Sequence, residues 1–386
     1  MIILAIETSC DETATALLKA ENKKMALLSN IVSSQIKLHA RWGGVVPNLA
    51  AREHLKNIQP VITRAFRNAK INPDQIDLIA VTNGPGLIPS LLIGTAAAQT
   101  LSFLWKKPLI GIHHIEGHIY ANFIKDETGV NLKSQFSISK KIYNSDIKFP
   151  ILCLVVSGGH TQLVLMKKHL RYEIIGQTLD DAAGEAFDKV ARILGLSYPG
   201  GPAIAAKAAK FKKLNFIKNS KLKIQNYISL PRPMINSGDF NFSFSGLKTA
   251  VLYKVKEFQK LLSEKKLSSD DYDFLITGIA SEFQQAVIDV LVSKTIKSAT
   301  KYQVKTIMLA GGVSANQELR KQMNLKIKNN LSDSKFITPN PKFCIDNAAM
   351  IASAAYFRWK NMSSAQRKKT FQNWKHLSTD ANLKLS

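Results

Sequence analysis

Apolar positions along the chain fall into short blocks parted by polar, glycine-rich turns, and the blocks alternate between strand-like and helix-like periods. Ile2 to Glu7 is a compact apolar run that stops at Thr8-Ser9-Cys10-Asp11-Glu12-Thr13. Thr15 to Leu18 resumes it, which predicts a strand, a tight polar turn and a second strand. Pro47 opens a stretch to about Asn68 in which Leu49, Leu55, Ile58, Val61 and Ile62 lie near helical spacing. Ile76 to Val81 reads as a buried strand, and Asn83-Gly84-Pro85-Gly86 is a loop leading to a buried helix from Ser90 to Trp105. Leu109 to Ile112 is a further strand, followed by a helix from His113 to Phe123.

From Lys125 to Lys148 the periodicity lapses, as expected of an insertion or linker. The opening pattern then restarts: Ile151 to Val156 is a strand, Ser157-Gly158-Gly159-His160 a turn, and Thr161 to Met166 the return strand. Two such openings imply two related α/β halves with a cleft between them. Residues 1–124 would form an N-terminal lobe, completed by about 345–360, and residues 149–344 a C-terminal lobe. In that second half, Gly184 to Lys189 leads into a helix that Tyr198-Pro199-Gly200-Gly201-Pro202 ends. Asp273 to Ala299 reads as a long amphipathic helix, Val304 to Leu309 as a strand, and Asn347 to Trp359 as a helix. The basic tail, residues 361–386, is expected to fray.

Composition narrows the class. The 386 residues suffice for two cores, and 53 Lys and Arg against 28 Asp and Glu leave a charge of +25. Such an excess favours polyanion partners, although a lysine-biased proteome gives the same sign. Cys10, Cys153 and Cys344 form no C-x-x-C pair, which argues against a disulfide scaffold or a cysteine-ligated zinc knuckle. Ser90 to Trp105 is interrupted by polar residues and reads as too short and too polar to span a bilayer. No leader pattern precedes the first strand, so a cytoplasmic protein with no membrane partner is expected.

Several segments carry chemistry. His114-Ile115-Glu116-Gly117-His118 puts two imidazoles at i and i+4 on one helical face, where they could share an ion or simply be solvated. A metalloprotease would need glutamate directly after the first histidine. Here Glu116 falls about 200° round the helix from it, away from the metal face. Val155-Val156-Ser157-Gly158-Gly159 sets glycines at a turn, where backbone amides can approach a phosphate or merely close a hairpin. Asp11 and Glu12 occupy the matching turn of the other half, as holders of water or metal near a phosphate, or as solvated turn residues. Leu309 to Asn316 runs from strand through a double glycine to a helix start. Asn316 could bond a nucleobase there, and Ser314 could equally be the helix cap. Asp180, Asp181 and Asp188 could meet ribose hydroxyls or a cation. Asp346 would be an ordinary N-cap unless it completes a metal site with the two histidines.

Taken together, the segments resemble the tRNA threonylcarbamoyladenosine transferase family, in its TsaD-like bacterial or organellar branch. The matching stretches are Ile6-Glu-Thr-Ser-Cys-Asp-Glu-Thr13, Gly44-Val-Val-Pro47, Asn83-Gly-Pro-Gly86, His113-His-Ile-Glu-Gly-His118, Val156-Ser-Gly-Gly-His-Thr-Gln162, Gly184-Glu-Ala-Phe-Asp188, Tyr198-Pro-Gly-Gly201, Phe242-Ser-Phe-Ser-Gly-Leu-Lys248, Ala310-Gly-Gly-Val-Ser-Ala-Asn316 and Asp346-Asn347. The resemblance implies a two-lobed actin/sugar-kinase-like (ASKHA) α/β fold, with two RNase H-like halves about a central cleft. It implies one divalent metal on His114, His118 and Asp346, iron(II) in preference to zinc. It implies that Val155, Val156, Ser157, Gly158, Gly159, Asp188, Gly201 and Asn316 contact threonylcarbamoyl-adenylate.

The implied reaction passes the L-threonylcarbamoyl group to the exocyclic amine of the adenosine beside the anticodon in tRNAs reading ANN codons, releasing AMP. No covalent nucleophile is assigned. An accessory paralogue and a small ATPase, TsaB- and TsaE-like, are implied partners beside tRNA. Ala205 stands where many relatives carry an acid. Lys207, Lys210, Lys212, Lys213, Lys218, Lys221 and Lys223 form a candidate tRNA-backbone patch or a solvated helix face. An ATP-dependent phosphotransferase of the same fold and a non-catalytic tRNA- or paralogue-binding scaffold remain the competing readings.

Overall fold

The computed structural model describes residues 1–21, 24–124, 147–217 and 228–385, with the backbone alone at residue 24 and over 212–217. The reading of 125–148 as an insertion therefore lies almost wholly outside the described residues, as does most of the lysine stretch. Among the described residues the strands form two five-stranded sheets of one topology. In the first, β1 (Ile2–Glu7), β2 (Glu12–Glu21) and β3 (Lys24–Ser34) make an antiparallel meander, while β4 (Leu78–Gly84) and β5 (Leu109–His113) add in parallel on the other side of β1. In the second, β6 (Ile151–Val156), β7 (Thr161–Lys168) and β8 (Arg171–Gln177) repeat the meander, and β9 (Thr306–Ala310) and β10 (Lys335–Ile337) repeat the parallel flank.

Both orders read third, second, first, fourth, fifth along the chain. The molecule is an α/β protein of the two-lobed actin/sugar-kinase-like architecture. β1 and β6 are the central strands, and their near-continuous apolar runs follow from burial on both faces.

The helices fill layers around these sheets. After the short turn α1 (Ile36–His39), α2 (Pro47–Ala69) and α3 (Ile88–Trp105) cover the outer face of the first sheet through Ile58, Ala65 and Ala98. α4 (His114–Tyr120) and α10 (Ala348–Asn361) lie between the sheets, where Ile115, Ile119, Met350 and Ile351 join a core with Ile3, Ala5, Cys153 and Val155. The outer face of the second sheet carries α5 (Ala183–Ile193), α6 (Gly200–Ile217), α7 (Ser245–Ser263), α8 (Ser269–Lys301) and α9 (Gln317–Asn330).

Five expectations change. β3 and β8 were not legible as strands; β8 is exposed along most of its length and leans on its neighbours for pairing. The turn at Pro199 separates two helices, α5 and α6, instead of ending one. α8 is buried nearly all round, 72% of its apolar window, and is not amphipathic. α3, by contrast, is only 33% buried, with Leu92, Phe103 and Leu104 exposed, although both helices are long and apolar enough to cross a membrane.

The tail does not fray. α11 (Ser364–Thr370) and α12 (Asn373–His376) dock it on the first lobe, where Asn373 Nδ2 donates to Leu109 O at 2.7 Å and Trp374 packs against Phe103 with its ring tilted by 52°.

Candidate metal centre and inter-lobe cleft

β5 delivers its chain straight into α4, and His113 ends the strand by capping the helix, its Nδ1 accepting from Ile115 N at 3.1 Å. This short link buries His114 and His118 on one side of α4, with ring centroids 4.6 Å apart. The third ligand candidate arrives from 230 residues away. Asn347, rather than Asp346, is the N-cap of α10, accepting from Met350 N at 3.1 Å. Asp346 is thereby released from the helix end. Its Oδ1 lies 3.1 Å from His118 Nε2 and 3.5 Å from His114 Nε2. The ligand atoms of His114, His118 and Asp346 all fall within 4.8 Å of one another.

The residues fit a cation. His118 is buried, yet neither ring nitrogen has a hydrogen-bond partner; its Nε2 faces Asp346 without the alignment of a bond. Buried polar atoms left so are rare unless something else completes them. Behind His114 stands Glu7, a fully buried carboxylate at the end of β1 that accepts from His114 Nδ1 at 3.2 Å, Ser9 N at 2.5 Å and Thr82 Oγ1 at 2.6 Å. Nδ1–H is thus shared between Glu7 and Ser9 Oγ, which lies 3.1 Å away, and Nε2 is directed at the cluster, the tautomer a metal ligand requires. Burial alone would lower the His114 pKa, but the Asp346 and Glu7 carboxylates push it up to about 9. Burial would raise Asp346, and the neighbouring His114 and His118 bring it down to about 2. The pocket therefore favours positive charge at His114, which a divalent cation would satisfy. The set of two imidazoles and one carboxylate suits iron(II) or zinc.

Glu116 turns to the far side of α4. There it takes a two-pronged bond from Arg358 of α10, at 2.5 and 2.8 Å, and a third from Tyr172 of β8 at 2.9 Å. It joins α4 to α10 and to the second lobe and stays out of the imidazole cluster, which removes the metallopeptidase reading.

The remaining candidates come from both lobes. The turn Thr8–Thr13 is gripped by buried His54, whose Nε2 donates to Cys10 O at 3.0 Å while Nδ1 accepts from Thr13 Oγ1 at 2.8 Å. Asp11 and Glu12 are buried on this turn. Burial, then Asp11 and Asp346, raises Glu12 well above the usual carboxylate range. Across the cleft, burial raises Asp188, with Asp11 adding to the effect, and its Oδ1 accepts from Gly200 N at 2.7 Å.

Val155 and Val156 are buried in β6. Gly158 and Gly159 are exposed on the turn that follows, which Ser157 closes through bonds with His160. Gly311 passes this turn with φ +85, and a Cβ there would lie 2.5 Å from Val156 O, so only glycine permits the approach. Gly201 opens α6 in free space, and Ala205 is half-buried on the same helix. Asn316, not Ser314, caps α9: its Oδ1 accepts from Glu318 N and Leu319 N, and its Nδ2 donates to Gln284.

Asp180 and Asp181 turn out to be structural. Asp180 anchors Ser243, Phe244 and Ser245 at the start of α7, and Asp181 pairs with Lys189 and Lys248. Glu7, His54 and Glu116 had no role assigned from sequence. The signal available was a lone acid closing an apolar strand and an acid between two histidines.

Fold and site together define a two-lobed α/β protein with a two-histidine, one-carboxylate centre beside its cleft. A family model described as TsaD, tRNA N6-adenosine threonylcarbamoyltransferase, matches residues 26–353. Relatives of that name are 46% identical in Syntrophomonas wolfei, covering 94% of each chain, and 48% identical in Thermosipho africanus, covering 93% of this chain and 95% of the relative. The chain belongs to the tRNA N6-adenosine threonylcarbamoyltransferase family and is a transferase of tRNA modification.

Solved structures resemble it more distantly. A ROK family glucokinase from Streptomyces griseus, in complex with glucose and AMPPNP, aligns at TM-score 0.44 and 8% identity over 92% of this chain and 98% of that one. YeaZ from Pseudomonas aeruginosa aligns at TM-score 0.28 and 14% identity over 45% and 63%.

Proposed function

We propose that the chain transfers an L-threonylcarbamoyl group from threonylcarbamoyl-adenylate to the exocyclic amine of the adenosine beside the anticodon, in tRNAs reading ANN codons. The amine nitrogen forms a bond to the carbamoyl carbonyl carbon and loses a proton. The bond from that carbon to the phosphate oxygen breaks, and AMP leaves. The observation that carries this reading is the convergence of His114, His118 and Asp346 within 4.8 Å, at the edge of a cleft faced by Asp11 and Asp188, in a chain of this family.

His114, His118 and Asp346 would hold one divalent metal, iron(II) in preference to zinc. When bound, such an ion supplies Lewis acidity toward a carbonyl oxygen. Glu7 keeps the His114 ring turned with Nε2 toward the cluster. The exposed Gly158–Gly159 backbone would let the donor's phosphate approach the strand end, and Asp188 and Gly201 are assigned to the donor with it. Asn316 contributes through its backbone, its side chain being engaged in capping. Much of the rate then comes from holding donor and amine in line.

We assign residues 1–124, completed by about 345–360, to one lobe and 149–344 to the other. We expect a cytoplasmic protein that works with a TsaB-like paralogue and a TsaE-like ATPase. The decisive experiment incubates the chain with synthetic threonylcarbamoyl-adenylate and unmodified tRNA, then analyses nucleosides by mass spectrometry. Wild type should form the modified nucleoside, and His114→Ala should form at least about a hundredfold less. An inactive wild type with bacterial-type partners present, or a fully active H114A, overturns the reading.

A further inference from the structure

The C-terminal end of the chain straps over the ends of β4 and β5. Asp380 N donates to Asn83 O at 2.9 Å, and His113 Nε2 donates to Leu383 O at 2.9 Å. The strap lies so close to the β4 loop that a Cβ on Gly84 would sit 2.1 Å from Asp380 O. Between this strap and the second lobe is a cavity of about 530 Å³, within the roughly 300–1,000 Å³ typical of ligand pockets. One wall is the strap itself, Ala381 to Leu385. Another is Ile115, next to the His114 ligand, and the third comes from the second lobe with His160, Gln162, Ile174 and Gln177. Aliphatic and amide side chains thus face one space, which His113 and Ile115, the two neighbours of His114 in the chain, also line.

The strap is also the end of a cationic path. Residues 361–386 carry Arg367, Lys368, Lys369, Lys375 and Lys384 against a single acid, Asp380. α11 and α12 hold these on the first lobe up to the point where Lys384 borders the cavity.

We infer that this strap-walled cavity receives the acceptor nucleoside of the RNA, a purine with an exocyclic amine, and that the strap positions it. The inference rests on the transferase reading above and adds the acceptor side to it. A base between Ile174 and the strap would have its amine carried toward α4, while the flanking phosphates meet the basic residues of the tail. The strap residues are positioning residues. Their loss should weaken RNA use and leave the donor's binding alone.

The test uses the full chain. An RNA stem-loop with 8-azidoadenosine at the acceptor position is bound and irradiated, and the labelled peptides are sequenced. Label is expected in 381–385 or in the β8 segment 174–177; label elsewhere, or none above a scrambled RNA, overturns the inference. In parallel, deletion of 380–386 and the milder Lys384→Glu are compared with wild type. KM for tRNA should rise about tenfold, or about 1.4 kcal/mol, with equilibrium binding of threonylcarbamoyl-adenylate unchanged. Unchanged KM for tRNA in both, or an equal loss of donor affinity, overturns it. Crosslinking needs no turnover, so a chain that labels in the strap yet never transfers would sink the transferase reading and not this one.

Discussion

His118 and Glu7 show how much a single residue's surroundings can say. The first is a buried imidazole with both nitrogens unbonded, and the second is a buried carboxylate with three donors around it, one of them His114. Outer carboxylates of this kind hold a ligating ring in one tautomer, and their loss typically weakens metal binding 10- to 100-fold. Glu7→Ala should therefore lower iron(II) or zinc affinity by that factor in an equilibrium titration, while the secondary structure by circular dichroism stays intact. Equal affinity would detach Glu7 from the centre. The histidine pair could be seen in the sequence because i and i+4 share a face whatever the fold. Glu7 could not, since nothing in its own neighbourhood names the ring 107 residues away.

At the scale of elements, α4 and α10 are the pieces on which the site is built. They touch each other and both sheets, and the Glu116–Arg358 pair with Tyr172 bolts the joint. Removing one partner of a buried pair leaves the other charge without compensation. Arg358→Ala should cost about 3 kcal/mol in urea unfolding, whereas Lys56→Ala, which breaks an exposed pair with Glu53, should cost less than about 0.5 kcal/mol. A loss in the first no larger than in the second would show that the joint does not hold α4.

Most helices were legible at this scale because their apolar spacing is local. β8 was not, because its residues become a strand only when β7 and the Phe242 loop supply partners. α8 was misjudged as amphipathic because a helix covered on nearly every side loses the polar stripe that periodicity depends on.

For the whole molecule, the metal centre and the lobe junction make two further predictions. The centre draws ligands from α4 and from the segment before α10, so an ion bound there ties distant parts of the chain. Chelation should lower the melting temperature by about 2–4 °C at an ion concentration about a hundredfold above its dissociation constant, with recovery on adding the ion back. No shift on chelation would argue against a resident ion.

The second concerns His169, on the β7–β8 turn, which stacks on Phe357 and accepts from Tyr120 O–H at 3.1 Å. Burial, with Lys360 nearby, lowers its pKa from 6.5 to about 4. Below pH 6.5 the unfolded chain takes up a proton that the folded one refuses until about pH 4, so this residue's contribution to stability falls as pH drops through that window. Above pH 6.5 it has no slope. His169→Phe should flatten the pH dependence of urea unfolding between those limits by on the order of 1 kcal/mol, allowing for partial exposure. An identical slope in wild type and H169F would remove His169 from the account.

The sequence by itself determined the strands and helices with strong local period, the doubled strand–turn–strand opening, and the pairing of His114 with His118. Each of these depends on neighbours a few residues apart, and side-chain periodicity records them directly. Only the tertiary structure decided that Asn347 caps α10 and so frees Asp346 for the imidazoles, that Asp180 and Asp181 brace α7 and its surroundings, and that the basic tail folds back onto the ends of β4 and β5. Those outcomes turn on which of several competing donors a carboxylate or carbonyl reaches first. That is a matter of chain path through space, and residue order alone does not contain it.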